Sequence, residues 1–454
     1  MPTSPAEPAP FVIDDRAGRW APWWVLAFVA LWPLPGIAEG VLALGAIYAA
    51  VRMVMRRMQG QPRLLSPAAW ALTSILFLGY WLPQAFSALD AVDPSAAWTK
   101  AAAGLRYLPF MWLVAIAVAT PQRRALTLGG LALITAAWTI DALVQAVAGT
   151  SPWFWSLGQL KQLVSQQPLC SPAEAALADR LSGALGPCNL KFGQVLASLS
   201  AFLLLPAAAR FGRTGWLIAT LAVGVVLLLA GSRASWITFS LVVLYSGWRV
   251  LGWRRLLLLG LLGAALSAGL AYNVPQLRER VARTAQAWEG NDDGVEHALS
   301  GRGRIWAAAG CMIEAHPING VGARGFRDAY PACDPQAGAD GIWGAGPALH
   351  AHQIVLEILA ETGVIGLLLW LAAFAQAWRA WRFAPARARE RARPAMLALA
   401  VTVFPLNTHL AFHSTFWGGL TVLLAALYAG SLLARDADPS SAQSTSGEPT
   451  PPTP

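Results

Sequence analysis

The feature that most constrains this chain is a succession of runs without a single charge. Examples are ALTLGGLALITAAWTI at 125–140 and WLIATLAVGVVLLLAG at 216–231, separated by short turns that carry arginine. About 20 apolar residues at 1.5 Å rise each cross the hydrocarbon core of a bilayer. The composition agrees: 56% of residues are hydrophobic, mean hydropathy is +0.48, and 13% are charged, about half the share of a soluble domain. A length of 454 residues alone would suit about three soluble domains, and the runs exclude that. The net charge of +9 does not mark a nucleic-acid partner, because the arginines lie between apolar segments rather than on one face. The expected fold is all-α: a polytopic membrane protein with about twelve transmembrane helices and a helical loop region, its first partner the lipid bilayer.

The apolar segments fall at 21–37, 38–55, 66–88, 104–120, 125–148, 190–209, 215–231, 234–250, 254–273, 350–377, 395–412 and 416–434, the first two divided only at Pro35-Gly36. The first 20 residues are Pro-rich and carry Asp14, Asp15, Arg16 and Arg19, unlike a cleavable signal peptide. This gives an N-terminal tail over 1–20 and helices one to nine over 21–273, with a loop at 149–189. A large loop over 274–349 follows, then helices ten to twelve over 350–434. The tail at 435–454, rich in Pro, Ser and Thr, is expected to be disordered. Its Asp436 and Asp438 imitate the metal-binding acids of nucleotide-sugar transferases, a reading that a floppy tail makes poor.

Orientation follows from the rule that Lys and Arg collect in cytoplasmic loops. Arg52, Arg56, Arg57 and Arg63 follow segment two, Arg123 and Arg124 segment four, Arg210 and Arg213 segment six. Arg249, Arg254 and Arg255 follow segment eight, and the run from Arg379 to Arg393 follows segment ten. Every second turn obeys, so both termini are expected to be cytoplasmic. The two long loops then face outward and hold all four cysteines. Thiols confined to one side suggest an oxidising compartment, and Cys170–Cys188 with Cys311–Cys333 is the simplest of three pairings; four free, buried cysteines is the alternative. All six histidines also fall on the outer half, so the chemistry is expected there.

Ionisable groups near membrane depth are costly and therefore candidates for function. Arg233 sits in the small-residue turn Gly231-Ser232-Arg233-Ala234-Ser235, where a ligand could approach closely; a snorkelling arginine is the plainer reading. In Ser300-Gly301-Arg302-Gly303-Arg304-Ile305-Trp306, Ser300 is expected to cap an amphipathic helix that His316-Pro317 stops. Arg302 would then lie in its first turn, where the helix dipole favours phosphate, with Arg304 as support; an ordinary surface arginine is the alternative. His352 opens a membrane helix, where a neutral imidazole could accept a proton. His350, two residues away, is expected on another side of the chain. The pair lacks the clustered acids of a metal site, and no metal is expected. Glu357 and Glu361 lie one turn apart and are read as partners for an arginine, Glu361 the better candidate for support. Asp141 is a buried acid with no assigned partner. Lys191 and Arg106 stand at outer helix ends, where they either add to an anion-binding surface or anchor their helices.

The ordered set GSRAS, SGRGRIW, HPINGVGARGF and HAHQIVLEILAETGVIGL resembles the O-antigen ligase and polymerase superfamily of bacterial lipid-linked glycan transferases, mainly over residues 190–375. The family usually has Asn immediately after the helix-opening histidine, where this chain has Gln353. The resemblance implies transfer of a glycan from undecaprenyl diphosphate at the periplasmic face of the inner membrane, without metal or cofactor. It makes His352 the essential histidine and Arg233 and Arg302 the diphosphate-binding arginines. A single compact outer loop, no appended soluble domain and a basic chain favour the ligase, whose acceptor is the lipid A–core oligosaccharide; a repeat-unit polymerase and a protein oligosaccharyltransferase are the alternatives. A twelve-helix transporter fits less well, because such proteins usually place their large loop inside and between matching halves.

Overall fold

The computed structural model describes residues 16–171, 180–273, 301–334, 346–407 and 411–434, with the single positions 278 and 299. His297, Ser300, His409, both tails beyond these bounds and most of 274–298 and 335–345 lie outside the described residues. The described residues form helices and no strand. In chain order the helices are α1 (Ala21–Ala30), α2 (Pro35–Met58), α3 (Pro67–Ser87), α4 (Pro94–Gly104), α5 (Tyr107–Ala117), α6 (Pro121–Ala148), α7 (Pro152–Ser165) and α8 (Phe192–Leu199). They continue as α9 (Ala201–Ala230), α10 (Arg233–Leu251), α11 (Trp253–Asn273), α12 (Arg302–Ala315), α13 (Phe326–Cys333), α14 (Ile354–Phe383), α15 (Ala386–Thr402) and α16 (Thr415–Leu432).

Seven of these are long and apolar enough to cross a membrane: α2, α3, α6, α9, α10, α14 and α16. Their outward faces carry residues such as Leu44, Leu133, Val147, Ile218 and Leu368, each more than half exposed, which suits lipid rather than water as the surrounding solvent. Several boundaries differ from the expected segments. Pro35 does not sit in the turn dividing the first two; it opens α2, where its missing N–H costs nothing. The segments expected at 190–209 and 215–231 meet without a loop, because α9 runs through and breaks only at Gly212, φ 63°. Of the arginines that were expected to form a turn, Arg379 and Arg382 end α14, and α15, beginning at Ala386, takes in Arg387, Arg389, Arg391 and Arg393.

Helix α16 is buried along almost its whole length, and α3, α5, α14 and α15 pack around it. Small residues permit close approach: a Cβ on Gly430 would lie 2.7 Å from the Ala115 backbone of α5. At one end of the bundle, arginines satisfy carbonyls at helix C-termini. Arg391 donates to the carbonyls of Ser431 at 2.8 Å and Leu432 at 3.1 Å, at the end of α16. Arg123 donates to Ile116 at the end of α5, and Ser66, the cap of α3, donates to Leu433. These cations neutralise the negative ends of helix dipoles.

The opposite end is built around a broken helix. Gly363 takes φ 63° inside α14, which interrupts its hydrogen-bond ladder. The segment 317–322 repairs the break: Val321 N donates to Ala360 O at 2.8 Å, Gly322 N to Glu361 O at 3.0 Å, and Val364 N to Pro317 O at 2.9 Å. Open backbone at this depth needs such internal partners. Above it, Ile305, Ala309, Met312, Phe326 and Tyr330 form a separate apolar cluster with Ala351 and Ala360, seating α12 and α13 on the first turns of α14. Cys311 and Cys333 are bonded across α12 and α13, their Cα atoms 5.7 Å apart; Cys170 and Cys188 are likewise bonded.

Candidate active site

His352 precedes the N-cap of α14 and has φ 53°, a left-handed conformation that disfavours a side chain. Only two other described non-glycine residues share a positive φ, Gln166 and Arg324. Backbone strain of this kind, about 1–3 kcal/mol per residue, tends to collect at working sites. The turn also folds His350 back, so the two imidazole rings lie 3.9 Å apart, tilted by 41°. His350 is thus not on another side of the chain, as its spacing implied; the left-handed turn cancels the alternation of an extended strand. Gln353 is the cap of α14: its side-chain oxygen accepts from Leu356 N, and its amide donates to Pro405 O at 3.0 Å.

Two arginines stand at helix starts. Gly231, φ 64°, ends α9, Ser232 caps α10, and Arg233 occupies the first helical position. Arg302 holds the same position in α12, behind Gly301 at φ 77°. The capping position there is Gly301 rather than the expected Ser300, and it makes no side-chain cap bond. Burial, and next the charge of Arg233, push the Arg302 guanidinium below its usual range, so the two cations are within electrostatic reach. One turn along α12, Trp306 Nε1 donates to Ala351 O at 3.1 Å, fixing the start of this helix against the backbone that leads into His352. Arg304 is engaged elsewhere, paired with Asp334 at 2.7 Å beside the Cys311–Cys333 bond.

The acids have found partners other than those expected. Glu361 pairs with His413 rather than an arginine, Oε2 to Nδ1 at 2.9 Å, and Glu357 accepts from His413 N at 3.4 Å; all three are fully buried. Their ligand-capable atoms lie within 4.8 Å of one another, a spacing that could hold a cation. Asp141 accepts from Ser151 Oγ at 2.6 Å and Trp153 N at 2.7 Å, fastening the start of α7. Arg106 pairs with Glu39 at 2.6 Å. Lys191 lies 4.7 Å over the Phe416 ring.

Sequence reasoning passed over Lys100, Arg324 and His413 as site residues. Arg324 lies inside the quoted HPINGVGARGF segment, and its Gly-rich setting was the available signal. Nothing in the sequence marks His413 as the partner of an acid 52 residues earlier.

No curated protein matches the chain. Residues 217–371 match the Wzy_C family model, described as O-antigen ligase, and this stretch includes Arg233, Arg302, Arg324, His350, His352 and Glu361. Over those residues, about a third of the chain, it is similar to the O-antigen ligase family.

Proposed function

We propose that this multi-pass membrane protein is an O-antigen ligase. It takes O-antigen polysaccharide from undecaprenyl diphosphate and joins it to the lipid A–core oligosaccharide. In this reading the arginine-rich end and both termini face the cytoplasm of a bacterial inner membrane, and the histidine end faces the periplasm. The observation that supports it most is the pair Arg233 and Arg302, two cations at the first helical positions of α10 and α12, both within the residues that match the family model.

The chemistry suits these residue types. Sugar C1 is already joined to a good leaving group. His352 accepts the proton of an acceptor hydroxyl, the oxygen forms its bond to C1, and the C1–oxygen bond to the diphosphate breaks. The electron pair leaves with the diphosphate, whose new charge the two guanidinium forks hold in bidentate fashion, taking the place of a divalent ion. Such preorganised charge is often the largest catalytic contribution, and a positioned general base adds about 10²–10⁴-fold. Direct displacement inverts the anomeric centre.

A strain lacking this chain tests the reading by gel analysis of its lipopolysaccharide. Core without long chains, with lipid-linked polymer accumulating, is the expected result. Core bearing one repeat indicates a polymerase instead, and unaltered lipopolysaccharide indicates another acceptor. With purified protein, His352→Ala is expected to abolish transfer while donor still binds, and Arg302→Lys to fail because a point charge cannot reproduce the fork. Activity lost to a chelator and restored by a divalent ion would overturn the metal-free step.

A further inference from the structure

A second group of cations gathers at the same end from elements that the arginine pair does not use. Lys100 comes from α4, Lys191 directly precedes α8, and Arg324 comes from the loop that repairs α14. The two lysines flank the first turn of α16. Lys100 Nζ donates to Thr415 Oγ1 at 3.3 Å, and Lys191 Nζ lies over the ring of the next residue, Phe416. All three side chains are half-buried, and Thr415 is exposed, so the place is desolvated yet reachable.

The nearby acids are largely spoken for. Glu39 holds Arg106, and Glu361 holds His413. Asp328 faces Arg324, and burial and next Asp93 raise its carboxyl above the ordinary range. Among the described residues no ion pair includes Lys100, Lys191 or Arg324. Burial lowers both lysines; Arg106 and then Arg324 lower Lys100 further, and Arg324 lowers Lys191, as happens when like charges crowd one spot. The N-terminus of α16 adds the positive end of its dipole to that spot.

These cations come from elements other than those that carry the arginine pair: Arg233 opens α10 and Arg302 opens α12. We propose that Lys100, Lys191 and Arg324, at the start of α16, form a second anion subsite that takes a phosphoryl group on the glycolipid acceptor, while the donor diphosphate occupies the arginine pair. The assignment to the acceptor rests on the transferase reading above: two lipid-borne substrates must meet at one end of the bundle, and each brings its own anion.

Full-length protein in phosphatidylcholine nanodiscs tests this by binding alone. Titrated with inorganic phosphate and followed by phosphorus NMR line broadening, it is expected to show two classes of site. Lys100→Gln with Lys191→Gln weakens one class by about tenfold per cation, whereas Lys100→Arg with Lys191→Arg keeps it. Arg233→Gln with Arg302→Gln leaves that class in place. Phosphorylated lipid A displaces phosphate from it, and phosphatase-treated lipid A does not. Unchanged phosphate binding in the double glutamine variant overturns the subsite. Equal competition by the two lipids overturns the acceptor as its source. If two classes persist in a protein that transfers no glycan, the transferase reading fails and the anion subsite stands.

Discussion

At the scale of single residues, the site depends on backbone that only certain side chains permit. A Cβ on Gly363 would press into the Ile318 carbonyl, at a φ of 63° that already disfavours it. Gly363→Ala should therefore cost about 2 kcal/mol, visible as a lower thermal midpoint in detergent, and should loosen the loop that carries Arg324. Lys100 gives a pH signature. Burial first, then Arg106 and Arg324, push it down to about 8, against the opposing pull of Glu361 and Glu39. Between about 8 and 10.5 the unfolded chain binds the proton that the folded one has released, so this group lowers stability fully below 8 and the loss is relieved as pH rises through that window. Phosphate binding should do the reverse, falling as pH passes about 8, and Lys100→Arg should flatten that fall in the same nanodisc titration. The histidine and arginine types were legible in the sequence because short motifs carry them. The rings of His350 and His352 were misplaced because a left-handed turn at a non-glycine leaves no trace in residue spacing.

At the scale of elements, buried acids act as fasteners. Asp141 gathers a hydroxyl and a backbone N–H at the start of α7, and replacing it by alanine leaves both without that acceptor. The expected cost is about 2 kcal/mol, with proteolysis appearing first within 152–165. The bond between Cys311 and Cys333 ties α12 to α13 across 22 residues. Changing both to serine should cost about 3 kcal/mol by freeing that loop in the unfolded chain, and hydrogen exchange should rise over 302–333 while α16 stays protected. Helices were readable wherever apolar runs were long. Their ends were not, since Pro35 and Gly212 each suit either a turn or a helix boundary and packing decides between them.

At the scale of the whole molecule, the alternation of arginine with apolar segments sets up two unlike ends. One is held by cations capping helix termini; the other is built from broken backbone, arginines at the starts of two helices and an imidazole pair. Single cysteines placed near Arg389 and near Arg327, probed with an impermeant maleimide in intact cells, should label only at the second position. Labelling at the first would reverse the orientation proposed here. The alternation itself was plain from sequence. Which helix lies in the middle was not, because a run of apolar residues reads the same whether lipid or protein surrounds it.

Helix α16, the last of the described helices in chain order, is buried along almost its whole length. The helices made before it therefore enter the bilayer around a vacancy that this segment fills. The bundle cannot close until residue 432 has been made, and a nascent chain stopped short of residue 415 would present an unfilled ring of helices to the proteases that police the membrane.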